Sequence, residues 1–243
     1  MTTPPTTMPQ PSPAPATATP PQSSRPSRFG LVFGIVAAVL SVGSIVLAIV
    51  APALTSAPKL HVPQGWKQIY NDNPGNTTAL WDNARGCTFP TAGLNISSDS
   101  KCGFTPANGV ELTNGVLVVA QLAPAADVPL SQDAGILLDD TVLVIISQQG
   151  DYMICRSTCE RFANTDAPVI TGSTVAWHAD AFVPNELAVL YDSDQQTVSF
   201  YVNGQYVNQV SAGLSSTPTV ALTTSTSGEA LFTHVTIFAA STA

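Results

Sequence analysis

One apolar run, Phe29 to Leu54, constrains this chain more than any other feature. It holds 26 residues without a charge, and a helix needs only about 20 apolar residues to cross a bilayer core. It reads as a membrane-spanning helix that separates a short tail from one long C-terminal domain. The tail, Met1–Arg28, carries nine of the twenty prolines among Thr, Ser, Ala and Gln. Such a segment buries too little apolar surface to fold, so it reads as disordered, with local polyproline II character.

The flanks orient the span. Arg25 and Arg28 lie just before it, and the tail has no acidic residue. After it come six Lys and Arg against sixteen Asp and Glu, a formal charge near −10. The positive-inside rule then predicts a single-pass cell-membrane protein with a cytoplasmic N-terminus and an extracytoplasmic C-terminal domain. The rival is a cleaved signal peptide, with Ala51-Pro52-Ala53 or Thr55-Ser56-Ala57 as the small-residue site. Signal peptides usually have a shorter apolar region behind a shorter start. Both readings export the domain. Its acidic balance would repel phosphates, which disfavours nucleic acid as a partner.

All four cysteines, Cys87, Cys102, Cys155 and Cys159, follow the span, in a compartment where disulfides persist. Three pairings are open; local spacing favours Cys87–Cys102 and Cys155–Cys159. If the second pair forms, Arg156-Ser157-Thr158 must turn the chain, because four extended steps outreach a disulfide. A lone CxxxC without a neighbouring histidine is a poor zinc signature.

From Lys59 to Ala243 the chain is long enough for one domain with a sizeable core. Short runs rich in Val, Ile, Leu, Phe and Thr recur between Gly, Asn, Asp and Pro, and no long amphipathic helix is evident. Val116–Ala123 and Val142–Ser147 are apolar on both faces, as central strands are. Thr197–Asn203 alternates, with Val198, Phe200 and Val202 on one face. Asn203-Gly204 then predicts a type I′ turn into Gln205–Val210. Leu187–Tyr191, Val220–Thr224 and Leu231–Phe238 add strands, and the last would set His234 on the face of Phe232. Ten to twelve short strands predict a mainly β, antiparallel two-sheet sandwich. Residues 109–243 read as its core. Residues 55–108 read as a linker, one N-terminal strand and a disulfide-clipped loop.

Asn185–Val189, Thr197–Gly204 and the closing Phe232–Phe238 strand resemble concanavalin A-like jelly rolls, in the laminin-G-like and 3-keto-disaccharide-hydrolase-like branches. Ala134–Leu137 and Gly150–Arg156 fit the same branch, and the likeness runs from about Gly109 to Ala240. Its motifs are turns and core strands, so it implies a fold more than an activity.

Glycosidases on that fold need two carboxylates across a cleft, often as a tight E-x-D-x-(x)-E run. Here Glu111, Glu160, Glu186 and Glu229 are isolated from one another, and Asp139-Asp140 would point to opposite faces of a strand. Ser98-Asp99-Ser100-Lys101 satisfies S-x-x-K but lies among loop-forming residues, and His61, His178 and His234 are scattered. The sequence therefore predicts no catalytic residues and no cofactor other than calcium, for which Asp192, Asp194, Asp139 and Asp140 are the candidate ligands. Tyr201, Tyr206, Asn203 and Tyr191 are the candidate sugar-binding surface, with Trp81 and Trp177 read as core. Asn76-Thr77-Thr78 and Asn95-Ile96-Ser97 are sequons, which carry no meaning if the Ala-, Thr- and Val-rich composition marks a bacterial envelope protein.

The expected function is a membrane-anchored, non-catalytic module that binds cell-envelope glycan or an envelope protein. The alternatives are a glycoside-cleaving enzyme with dispersed carboxylates, and an assembly subunit. The last would pair weakly with a second copy through Gly30 and Gly34 in the span.

Overall fold

The computed structural model describes residues 58–240, apart from 83–84, 98–99, 108–109, 129–132, 157–168 and 226–227. The tail, the expected span at 29–54 with its glycine pair, Cys159 and Ser98 lie outside the described residues. Among the described residues no helix is long and apolar enough to cross a membrane.

Fourteen strands make up the described chain: β1 (Trp66–Asp72), β2 (Cys87–Thr88), β3 (Leu94–Ser97), β4 (Lys101–Phe104), β5 (Gly115–Leu122), β6 (Asp133–Leu138), β7 (Val142–Ser147), β8 (Asp151–Arg156), β9 (Val169–Ser173), β10 (Asn185–Asp192), β11 (Thr197–Val202), β12 (Gln205–Ser211), β13 (Val220–Thr223) and β14 (Glu229–Ala240). They form two sheets in which every pairing is antiparallel. The eight-stranded sheet runs β12-β11-β10-β5-β14-β3-β2, with β1 also on β14. The six-stranded sheet runs β4-β13-β6-β7-β8-β9. The long β14 shares one edge end to end: Glu229–Phe232 pair with β3, and Val235–Ala240 pair with β1.

The core follows from alternation. Val116, Val118, Ala120 and Leu122 of β5, Val198, Phe200 and Val202 of β11, and Phe232, Val235 and Ile237 of β14 point inward. They meet Ala134, Ile136 and Leu138 of β6, Val142, Val144 and Ile146 of β7, and Val220 and Leu222 of β13. Fully burying one such side chain contributes roughly 1.5–3 kcal/mol, which is what clamps the sheets together. The expected mainly β, two-sheet sandwich is therefore the observed architecture.

Two outward faces are also apolar, as the doubly apolar β5 and β7 predict. Leu117, Ala188 and Tyr201 are buried on the outside of the eight-stranded sheet, with Leu60 and Trp66 of the lead-in segment packed on them. Leu143, Ile145 and Cys155 are buried on the outside of the six-stranded sheet.

The structure corrects the sequence in two places. Residues 58–107 supply four strands rather than one, and β4 belongs to the opposite sheet from β1, β2 and β3. His234 does not share the face of Phe232. A bulge between Phe232 and His234 shifts the register against β5. Phe232 stays in the core, and His234 turns out to meet Asn71 Oδ1 at 2.7 Å.

Candidate functional site

A concave trough of about 450 Å³ opens on the outward face of the six-stranded sheet, across β6, β7, β8 and β9. Strand register builds it. Asp133 pairs with Ser147 and Asp151 pairs with Ser173. Ser147 and Asp151 flank the Gln148–Gly150 turn, where Ser147 Oγ accepts the Asp151 amide at 3.3 Å. Directly opposed residues on antiparallel strands share a face. Asp133, Ser147, Asp151 and Ser173 therefore form one polar row at the end of the sheet. The next row, Gly135, Ile145, Met153 and Thr171, follows two residues deeper on each strand. Ile145 and Met153 form an apolar floor, and Thr171 adds a third hydroxyl to those of Ser147 and Ser173.

Two features shape the walls. Ser225 Oγ donates to Asp133 Oδ2, and Thr224 Oγ1 donates to the Asp133 carbonyl at 2.6 Å, so the segment after β13 holds Asp133 in place. Gly172 leaves room for Tyr152: a Cβ there would come within 2.6 Å of the Tyr152 hydroxyl. That ring packs inward on Phe200, and its hydroxyl accepts from Asn208 Nδ2 of β12 at 3.0 Å, joining the two sheets beneath the trough. Asp133 and Asp151 sit two strands apart, about 10 Å between backbones at ordinary strand spacing. The one ion pair among the described residues, Lys101 with Asp140 at 2.6 Å, lies elsewhere.

The candidate sugar-binding residues are not part of this trough. Tyr191 is buried in the core, and its hydroxyl accepts from the Leu214 amide at 3.3 Å. Tyr201 and Tyr206 do meet, edge to face at 5.8 Å, on the outside of the eight-stranded sheet. Tyr201 is nonetheless covered there, and burial pushes its hydroxyl pKa up, with Tyr206 adding to the rise. Asn203 is fully used by the fold. Its φ is +49° in the β11–β12 turn, beside Gly204 at +73°, as the predicted type I′ turn requires. Its Nδ2 donates to the Ala176 carbonyl (2.7 Å) and to Asn185 Oδ1 (2.9 Å), and its Oδ1 accepts the Glu186 amide (2.8 Å). Asn185 in turn exchanges bonds with the backbone of His178. Burial also pushes the Glu186 carboxyl pKa up, opposed by a hydrogen bond from Gln121.

The candidate calcium ligands fall on two turns that belong to different sheets. Asp139 accepts the Ser215 amide at 2.5 Å and the Thr219 amide at 3.0 Å, anchoring the β12–β13 loop. Asp140 pairs with Lys101. Asp192 Oδ1 caps its own turn through the amides of Asp194 and Gln195. Among the described residues, no three of His, Cys, Asp or Glu gather as a metal site.

Trp81 and Trp177 are core residues, as expected. Trp81 packs with Tyr70 and Phe104, and Trp177 Nε1 donates to the Gln148 carbonyl at 2.9 Å. Asn95 donates to Glu229 Oε1 at 2.7 Å in a half-buried pair that joins β3 to β14. Cys87 and Cys102 form a disulfide, Cα to Cα 6.0 Å, and Cys155 is also disulfide-bonded.

Sequence reasoning missed Asp133, Ser147, Asp151, Thr171 and Ser173. Each has a trace in the sequence, a polar residue at or near the end of an apolar strand, but their convergence depends on the pairing of four strands.

No family model and no curated protein matches the chain. Solved structures do. A legume lectin-like domain from Entamoeba histolytica matches at 8% identity and TM-score 0.49, covering 75% of this chain and 100% of that one. An endo-β-1,3-glucanase from Pyrococcus furiosus matches at 9% identity and TM-score 0.47, covering 76% and 100%. An endo-1,3-β-glucanase from Streptomyces sioyaensis matches at 12% identity and TM-score 0.45, covering 75% and 99%. These likenesses are of fold, and at such identities they say nothing of the residues in the trough.

Proposed function

We propose that the sandwich is a glycan-binding module, held outside the cell on a single-pass anchor, whose ligand lies across the end of β7, β8 and β9. The supporting observation is the trough itself: a row of carboxylates and hydroxyls beside an apolar floor. A sugar ring presents hydroxyls at its rim and C–H groups on its faces. Asp151, Ser147, Ser173 and Thr171 offer acceptors and donors to the rim, while Ile145 and Met153 receive a face. The uncharged run 29–54 and the disulfide-bonded cysteines support the extracytoplasmic placement.

The test is co-sedimentation of the detergent-solubilised full chain with insoluble cell-wall polysaccharide, with calcium and with chelator. Replacing Ser147 by Ala and Thr171 by Val together removes two hydroxyls. At about 1 kcal/mol each, binding should weaken at least roughly tenfold. Wild-type binding that this pair leaves unchanged would place the ligand elsewhere. No binding by the wild type would remove the glycan reading.

A second reading follows from Asp133 and Asp151 standing on one outward row two strands apart, about 10 Å between backbones. Carboxyl groups about 5–10 Å apart across a cleft can serve as acid and base in glycoside cleavage. Release of reducing ends that Asp151→Asn abolishes, with binding retained, would establish that activity. Binding without turnover by the wild type would leave the module non-catalytic.

A further inference from the structure

The polar row of the trough is negative and carries no compensating cation. Ser147 stands between Asp133 on β6 and Asp151 on β8, and Ser173 closes the row on β9. None of the described residues lining the trough is Lys, Arg or His. Lys59–Ala243 as a whole sets six Lys and Arg against sixteen Asp and Glu, so the wider field has the same sign.

The row is also specific in what it offers. Ser147 Oγ accepts the amides of Gln149 at 3.2 Å and Asp151 at 3.3 Å, which uses both lone pairs and leaves its O–H to donate. Ser225 and Thr224 fix Asp133, yet an ionised carboxylate has about four acceptor sites and keeps capacity for a ligand. Asp151 is exposed. A ligand thus meets one donor between two negative acceptors.

Any ligand lying over this row strips water from two carboxylates. A neutral ring returns only neutral hydrogen bonds, and a uronic acid adds repulsion. A protonated amine supplies the missing charge and forms the stronger, charge-assisted bonds. At ordinary spacing, an amine above Ser147 stands about 5 Å, one strand, from each aspartate. Ile145 and Met153 lie two residues deeper, about 7 Å along the strands, the span of a sugar ring with its amine substituent.

We infer that the trough selects a cationic amino sugar, a hexosamine whose free, protonated amine sits between Asp133 and Asp151, an assignment that rests on the glycan reading of the trough.

The experiment is calorimetry on the detergent-solubilised full chain in mildly acidic buffer, where a sugar amine is protonated and ordinary aspartates stay ionised. The probes are a β-1,4-linked glucosamine oligomer, its fully N-acetylated counterpart and an oligogalacturonate, all of equal length. The amino form should bind at least about tenfold more tightly than the acetylated form, and the galacturonate most weakly. Asp151→Asn should cut that preference at least about threefold. Glu111→Gln, which removes an exposed carboxylate outside the trough, should leave it unchanged. Equal binding of the amino and acetylated forms overturns the assignment. So does a preference that Asp151→Asn reduces no more than Glu111→Gln does, because overall charge would then explain it. A lysine oligomer that binds as tightly as the glucosamine oligomer overturns it as well, since the trough would then read charge without a ring. If none of the three sugar oligomers binds while the chain still co-sediments with cell-wall polysaccharide, the amino-sugar assignment falls alone. Failure in both assays removes it together with the glycan reading.

Discussion

Asn203 Nδ2 donates to Asn185 Oδ1 at 2.9 Å, across eighteen residues of chain. Through that bond and its contact with Ala176, a two-residue hairpin turn braces the start of β10 and the loop before it. Asn203→Ala removes three hydrogen bonds and leaves a β-carbon at positive φ without a local polar partner. At roughly 1 kcal/mol per net bond and 1 kcal/mol or more for the backbone, the loss should be about 3–4 kcal/mol. Asn203→Gly keeps the turn and loses only the bonds, so it should be milder by about 1 kcal/mol. Chemical denaturation of both variants checks the order; equal losses would mean the φ angle is not strained.

The raised pKa of Glu186 sets a direction for stability against pH. Burial favours the protonated form, so between the unfolded and folded values the folded state binds more protons. Stability from this group is whole below the unfolded value and is lost as pH rises through the folded one. Glu186→Gln should therefore match wild type in acid and exceed it at neutral pH. A gap between the two denaturation midpoints that stays constant from pH 4 to pH 7 would contradict this.

The Cys87–Cys102 disulfide closes a loop of fifteen residues that joins β2 and β3 of one sheet to β4 of the other. A crosslink of that length contributes about 3 kcal/mol, chiefly by restricting the unfolded chain. Replacing both cysteines by Ala should lower the denaturation midpoint by a corresponding amount. A smaller shift would show that the unfolded chain is already compact across this segment.

Asp139 acts as an acceptor for two backbone amides at the base of the β12–β13 loop. Asp139→Ala should cost about 2–3 kcal/mol, since both bonds are charge-assisted and the amides lose their partner. Millimolar calcium should leave the Tm of wild type and variant unchanged. A calcium-dependent rise in the wild type alone would mean the carboxylate also holds the ion.

Sequence alone determined the local half of this architecture. Alternation in Thr197–Val202, doubly apolar runs at β5 and β7, and Asn203-Gly204 specified strands, faces and a turn, because those signals depend on neighbours along the chain. The sequence also placed Trp81 and Trp177 in the core, and its local spacing favoured the disulfide that formed between Cys87 and Cys102. Tertiary structure decided which outward face carries a trough. Tyr191 and Asn203 looked available in sequence, yet the core buries one and neighbouring loops occupy the other. Asp133 and Asp151 each begin a strand, and only the pairing of β6, β7 and β8 in register sets them on one row. His234 changed faces through a single bulge. The physical reason is common to all of these. Side-chain direction along a strand is local, with a period of two. What stands beside a side chain depends on pairings between segments far apart in sequence, and one extra residue in a ladder reverses it.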